Sequence, residues 1–188
     1  GLAPSPRVEP LTQITYQRLF PRYVGLCGVS GTLVECRDEL ARIYGRQVFT
    51  VPLRQTSRRR LLRPRVFTRQ RAQYNAVVAR VAELHGRGQP VLIGTNSVSE
   101  SEALSRALAA SGLRHTVLNA PQDRDEAHII AAAGSKGAIT VATNIAGRGT
   151  DIVLDPGGAE AGGLHVICCQ QNTARRIDRQ LIGRGARQ

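Results

Sequence analysis

Methionine and tryptophan are absent from this 188-residue chain, and Lys136 is its only lysine. Aromatic rings are scarce as well, with three Phe and four Tyr. Surfaces that stack unpaired bases need exposed rings, so the shortage argues against a nucleic-acid binder. No apolar run reaches the roughly 20 residues of a membrane-spanning helix, and no secretory leader pattern opens the chain. The four cysteines, Cys27, Cys36, Cys168 and Cys169, lack C-x-x-C spacing. Adjacent Cys168 and Cys169 make a poor disulfide pair, which points to a reduced, cytosolic setting. The four histidines are scattered without metal-ligand spacing, so no metal is expected on this chain. Also missing is G-x-x-x-x-G-K-[ST], the loop that cradles nucleotide phosphates; Gly134-Ser135-Lys136-Gly137 has the wrong spacing. No run of adjacent acids stands after an expected strand to hold Mg²⁺.

What is present is positive charge. The formal net charge is +12, almost all of it arginine. Two readings stay open: a base-composition bias of the coding DNA, or an anionic partner such as nucleotide phosphate, nucleic acid or acidic lipid. A hydrophobic fraction of 41% is enough for a core. The length fits one domain, or one domain plus part of another. The chain begins at Gly1 without methionine and stops at Gln188 just after a charged segment, so a piece of a longer protein is expected.

Residues 1–13 hold Pro4, Pro6 and Pro10 and read as a flexible tail. Residues 14–26 are amphipathic with Pro21 as a break, and 24–28 suggest a short strand. Ser30-Gly31-Thr32 is a tight turn with a helix-capping candidate, followed by a helix of about ten residues ending at Tyr44-Gly45. Residues 47–51 suggest another strand. Residues 54–71 carry eight arginines, bracketed largely by Pro52 and Pro64. The run reads as a solvated linker that also offers an anionic surface something to touch. Beyond it helix and strand alternate. Helices are expected at 68–86, 99–111, 123–133 and 173–182. Strands are expected at 90–95, 115–118, 138–143 and 164–168. Short apolar strands between helices predict an α/β fold: a parallel sheet covered on both faces. The boundaries follow as a tail at 1–13, a unit at 14–51, a linker at 52–67 and a unit at 68–188.

Two segments carry chemistry. Residues 142–152 read A-T-N-I-A-G-R-G-T-D-I. In an open α/β sheet, ligands sit beyond the carboxyl ends of strands. Gly147 and Gly149 let the backbone turn and approach a ligand, Arg148 can meet a phosphate or an acid, and Asp151 can hold a ribose hydroxyl or an arginine. Taken alone the motif is also compatible with a plain turn. Residues 175–188 read R-R-I-D-R-Q-L-I-G-R-G-A-R-Q. Phosphoryl transfer spreads negative charge over the γ-phosphate oxygens, and a guanidinium from an opposing lobe stabilises that charge. A solvated basic helix is the plainer reading of the same residues. Ser30 and Ser97 lack any nucleophile-elbow context. Cys27 reads as a small core residue, and His165 as a strand residue rather than a catalytic one.

With these residues the chain resembles the SecA family, the ATP-driven motors of bacterial preprotein translocation. Residues 14–17 with Phe20, then 26–32 (L-C-G-V-S-G-T), are similar to the family's I-T-F-Q…F and L-A-G-M-T-G-T. Residues 88–95 and 117–120 are similar to its second-lobe strands. Residues 142–152 are close to A-T-N-M-A-G-R-G-T-D-I, 161–167 match A-G-G-L-H-V-I, and 175–188 match R-R-I-D-x-Q-L-x-G-R-x-G-R-Q. The resemblance implies a RecA-like fold from about residue 50 onward, as in a helicase C-terminal lobe. It implies that Asp151 and Gly149 contact the nucleotide, and that Arg148, Gln180, Arg184 and Arg187 face a cleft between lobes, with Arg184 and Arg187 as finger residues. Gly31 and Thr32 would couple nucleotide state to lobe movement.

The cofactor implied is ATP, with Mg²⁺ held by a first nucleotide-binding lobe. The implied partners are that lobe, the SecYEG channel and unfolded preprotein. The setting implied is cytoplasmic and peripheral at the inner membrane. Departures are concentrated. Residues 168–174 read C-C-Q-Q-N-T-A where the family has G-T-E-R-H-E-S. A short D-P-G-G-A-E at 155–160 replaces a long insertion. Pro121, Ile182 and Ala186 depart from the commonest choices. Two alternatives remain: the second lobe of a nucleic-acid helicase, and a non-catalytic adaptor with the same fold.

Overall fold

The computed structural model describes residues 12–118, 126–143 and 151–185. The chain divides into two units, 1–51 and 52–188.

In the first unit, α1 (Tyr16–Leu19) tightens into a 3₁₀ turn at Phe20–Arg22. Pro21 accounts for that break: it has no N–H for the next α-helical bond. A second 3₁₀ turn, Val34–Cys36, leads into α2 (Arg37–Tyr44). The helix ends at Gly45, whose φ of 62° lies in the left-handed region that glycine enters without strain. Phe20 ties the two helices together, stacked on Tyr16 at 5.5 Å and edge-on to Tyr44 at 6.2 Å. The strands expected at 24–28 and 47–51 are not formed. Both segments are irregular and largely exposed, with Val24, Phe49 and Val51 facing solvent. An extended segment without a ladder partner has no strand hydrogen bonds to make. Ser30 does not cap the helix. Its Oγ instead accepts the Thr32 N–H at 3.3 Å, closing its own turn.

The second unit holds α3 (Gln70–Gly86), β1 (Val91–Thr95), α4 (Val98–Ala110), β2 (Thr116–Leu118), α5 (Glu126–Ala132), β3 (Ile139–Thr143), α6 (Pro156–Glu160), β4 (His165–Cys168) and α7 (Arg175–Ile182). The strands form one parallel sheet in the order β2-β3-β1-β4. Central β1 is buried at all five positions, which explains its unbroken V-L-I-G-T run. Alternation splits the core in two. Val91, Ile93, Ile139 and Val141 meet Val77, Val81 and Leu84 of α3 and Leu104 and Leu108 of α4. Leu92, Leu118 and Ala142 meet Ile130 of α5, Leu181 of α7 and Ile152. Each such aliphatic side chain, fully buried, contributes about 1.5–3 kcal/mol. The α/β expectation holds: this is a RecA-like parallel sheet with helices on both faces.

Two local signals went unread in the sequence. Ser97-x-x-Glu100 starts α4: Ser97 Oγ accepts the Glu100 N–H at 3.3 Å, and the Glu100 carboxylate accepts the Asn96 N–H at 3.2 Å. Asp155-Pro156 starts the short α6, with Asp155 capping the Gly158 N–H and proline in the first turn.

Candidate functional site

Because all strands run parallel, the segments after β1, β3 and β4 leave the sheet at one edge, its carboxyl edge. A polar cluster lies there. Glu100 accepts a hydrogen bond from Gln170 Nε2. The Gln73 side chain donates to the Cys169 carbonyl. Asp178, in the first turn of α7, accepts from Asn172 N at 2.9 Å and Nδ2 at 2.7 Å. These contacts fix the β4–α7 connection. They come from the stretch where the sequence departs from the family pattern, so family motifs did not point to them.

Of the residues singled out after β3, Gly147, Arg148, Gly149 and Thr150 lie outside the described residues; Asp151 is described and exposed. From Asp151 the chain returns across the sheet. Ile152 is buried, and Val153 passes so close to Gly134 that a Cβ there would lie 2.1 Å from the Val153 carbonyl oxygen. Only glycine permits that approach. Asp155 closes the return by accepting the Lys136 N–H at 3.0 Å.

Helix α7 is seated by a second glycine. A Cβ on Gly94 of β1 would meet Leu181 Cδ2 at 2.2 Å, so the helix rests directly on the strand through this leucine. Leu181 and Ile152 share one buried cluster. Gln180 and the turn holding Arg184 therefore flank a core residue on the face of the sheet that also receives the segment after Asp151. Both are half-buried. The turn is built from Gly183 N to Arg179 O at 2.7 Å and Arg184 N to Leu181 O at 3.1 Å. Arg187 lies outside the described residues. Gly31 and Thr32 sit in the other unit, in the self-closed turn described above.

Among the described residues no cluster of His, Cys, Asp or Glu is arranged to hold a metal, and no helix is long and apolar enough to cross a membrane. Burial pushes the thiols of Cys168 and Cys169 up to about 11 and about 12, the Asp178 carboxylate adding to the first and Cys168 to the second. At neutral pH the buried Cys169 stays protonated, which removes it as a nucleophile.

His165 of β4 has its pKa lowered, first by burial and then by the Arg80 guanidinium, with Glu83 opposing. A histidine kept neutral in the fold gives stability that is full above its ordinary value of 6.5 and is lost as pH falls through the lower folded value. The thermal midpoint is expected to drop progressively below pH 6.5, and His165→Gln should flatten that part of the profile. An unchanged slope in the variant would assign the acid sensitivity to other groups.

The parallel sheet and its two helical layers define a RecA-like α/β fold. Residues 56–160 match the family model described as the SecA P-loop domain, and the chain belongs to the SecA family. Among its relatives, a protein translocase subunit SecA 2 of Bordetella avium is 50% identical over 183 residues, covering 97% of this chain and 28% of that protein. A SecA 2 of Nitrosospira multiformis is 45% identical over all 188 residues, again 28% of its length. A protein translocase subunit SecA of Mesomycoplasma hyopneumoniae is 45% identical over 188 residues, covering 100% of this chain and 19% of its own. The chain thus spans between about a fifth and just over a quarter of the length of these relatives.

Proposed function

We propose that this chain is part of a SecA-type motor that couples ATP binding and hydrolysis to preprotein translocation. Residues 14–51 close a first nucleotide-binding lobe, 52–67 link it to the second, and 68–188 belong to that second lobe. The first lobe grips ATP and Mg²⁺. This lobe presents Asp151, Gly149, Arg148 and Gln180 to the nucleotide, and Arg184 and Arg187 to the γ-phosphate. The observation that carries the reading is the shared buried cluster of Ile152 and Leu181, which supports a common site for the two motifs. Gly31 and Thr32 transmit the nucleotide state. The parent's partners are the SecYEG channel and unfolded preprotein at the inner membrane, with acidic lipid as a further anionic surface for the arginine run.

Since the sequence contains no G-x-x-x-x-G-K-[ST], the chain alone has nothing to cradle the β- and γ-phosphates. Steady-state phosphate release is therefore expected to be absent from the 188-residue chain and present in the full-length protein. Turnover by the chain alone would refute the division of labour. Tight binding of single-stranded RNA or DNA that persists at high salt would instead favour a helicase.

A further inference from the structure

Within the arginine run at 54–71, one member differs in what it touches. Arg59 extends its guanidinium over 126 positions of sequence to the carbonyl oxygen of Gly185, with Nε at 3.1 Å and Nη2 at 3.0 Å. Both donors of the fork thus converge on one acceptor. Gly185 is buried, and its own N–H is bound to Ile182 O at 3.2 Å. The Arg59 end is fixed locally too, because its backbone N–H donates to Ser57 Oγ at 3.3 Å. Arg58, Arg59 and Arg60 are all exposed, so the contact with Gly185, not burial, sets Arg59 apart from its two neighbours.

We propose that Arg59 is a positioning residue for the arginine turn after α7. The carbonyl it holds belongs to the peptide that follows Arg184 and leads through Ala186 towards Arg187. Fixing that peptide plane restrains the backbone of the turn that carries the proposed finger side chain of Arg184. A guanidinium suits the task because it is planar, always charged and offers two parallel N–H groups, whereas a lysine ammonium offers a mobile point charge. Strong positional demands are reasonable here, since a displacement of about 1 Å at a reacting group can cost on the order of 100-fold in rate. The linker then does more than tether: its one fork on Gly185 makes the finger geometry depend on the path of the linker chain. This inference rests on the finger reading of Arg184 and Arg187 given above.

The test uses the full-length protein with Arg59→Ala, Arg59→Lys and Arg58→Ala, alongside Arg184→Ala and the double variant Arg59→Ala/Arg184→Ala. Readouts are kcat and KM for ATP and the thermal midpoint. Arg59→Ala is expected to lower kcat by roughly 10- to 100-fold with KM within about twofold. Arg59→Lys should be intermediate and Arg58→Ala unchanged. The double variant should be no slower than Arg184→Ala alone, because Arg59 acts through the same turn. Full turnover of Arg59→Ala, with Arg184→Ala impaired, overturns the positioning role and leaves the finger reading intact. Full turnover of Arg184→Ala overturns the finger reading of that residue instead. If Arg59→Ala lowers the thermal midpoint, Arg59→Lys decides: unchanged kcat overturns the proposal, and reduced kcat at unchanged midpoint and KM supports it.

Discussion

Arg184→Ala or Arg187→Ala in the full-length protein is expected to reduce kcat for ATP by about 10³-fold or more, with nucleotide affinity nearly unchanged. The asymmetry follows from where the charge develops. In the proposed motor, the γ-phosphate of bound ATP would already be neutralised by the loop and metal of the companion lobe. In the transition state the charge redistributes over the equatorial oxygens and the leaving bridge, where a guanidinium delivered from the opposite wall meets it. An interaction stronger in the transition state than in the ground state appears in kcat and not in KM. Arg184 sits on a short turn whose backbone is bonded to the last turn of α7. Lysine at either position keeps the charge and loses the fork, so it should restore only part of the rate. Equal kcat in both alanine variants and the parent would remove the arginines from the chemistry.

Gly94→Val should damage the seat of α7 on the sheet. The Cβ position on Gly94 lies within 2.2–3.1 Å of three Leu181 side-chain atoms. Leu181 is itself buried against Ile152, Leu92 and Ile130, so it has little room to retreat. Overpacking of this kind costs about 1–3 kcal/mol. Much of the strain would be relieved by α7 lifting off β1 and carrying the Arg184 turn with it. Both lower stability and lower turnover are therefore expected. Leu181→Ala opens the space that valine fills, so the double variant should be more stable than the sum of the two single losses. Additive losses in a urea-unfolding cycle would show that the helix is not seated through this pair.

The sheet of the second unit was legible because its strands are short, continuous and β-branched, and because helical periodicity separates them. The helix expected at 68–86 packs on the sheet through Val77, Val81 and Leu84. The same rules failed in the first unit. Val24 and Phe49 sit in strand-like runs, yet a strand exists only with a partner, and periodicity carries no information about one. The segments after β3 and in α7 stood out as candidates, with a plain turn and a solvated basic helix as open readings of the same residues. What tied them together was not legible. That Gly94 makes room for Leu181, that Gly134 admits the Val153 carbonyl, and that Arg59 reaches Gly185 are facts of three-dimensional approach between distant positions. In sequence they are two glycines among 19 and one arginine in a run of eight.

The most direct test is a structure of the full-length protein bound to Mg²⁺, ADP and aluminium fluoride, which mimics the phosphoryl group in transfer. Our account predicts the guanidinium of Arg184 or Arg187 within hydrogen-bond reach of a fluoride, about 3 Å, with Asp151 lining the same cleft. Both guanidinium groups pointing into solvent, away from an occupied nucleotide site, would contradict it.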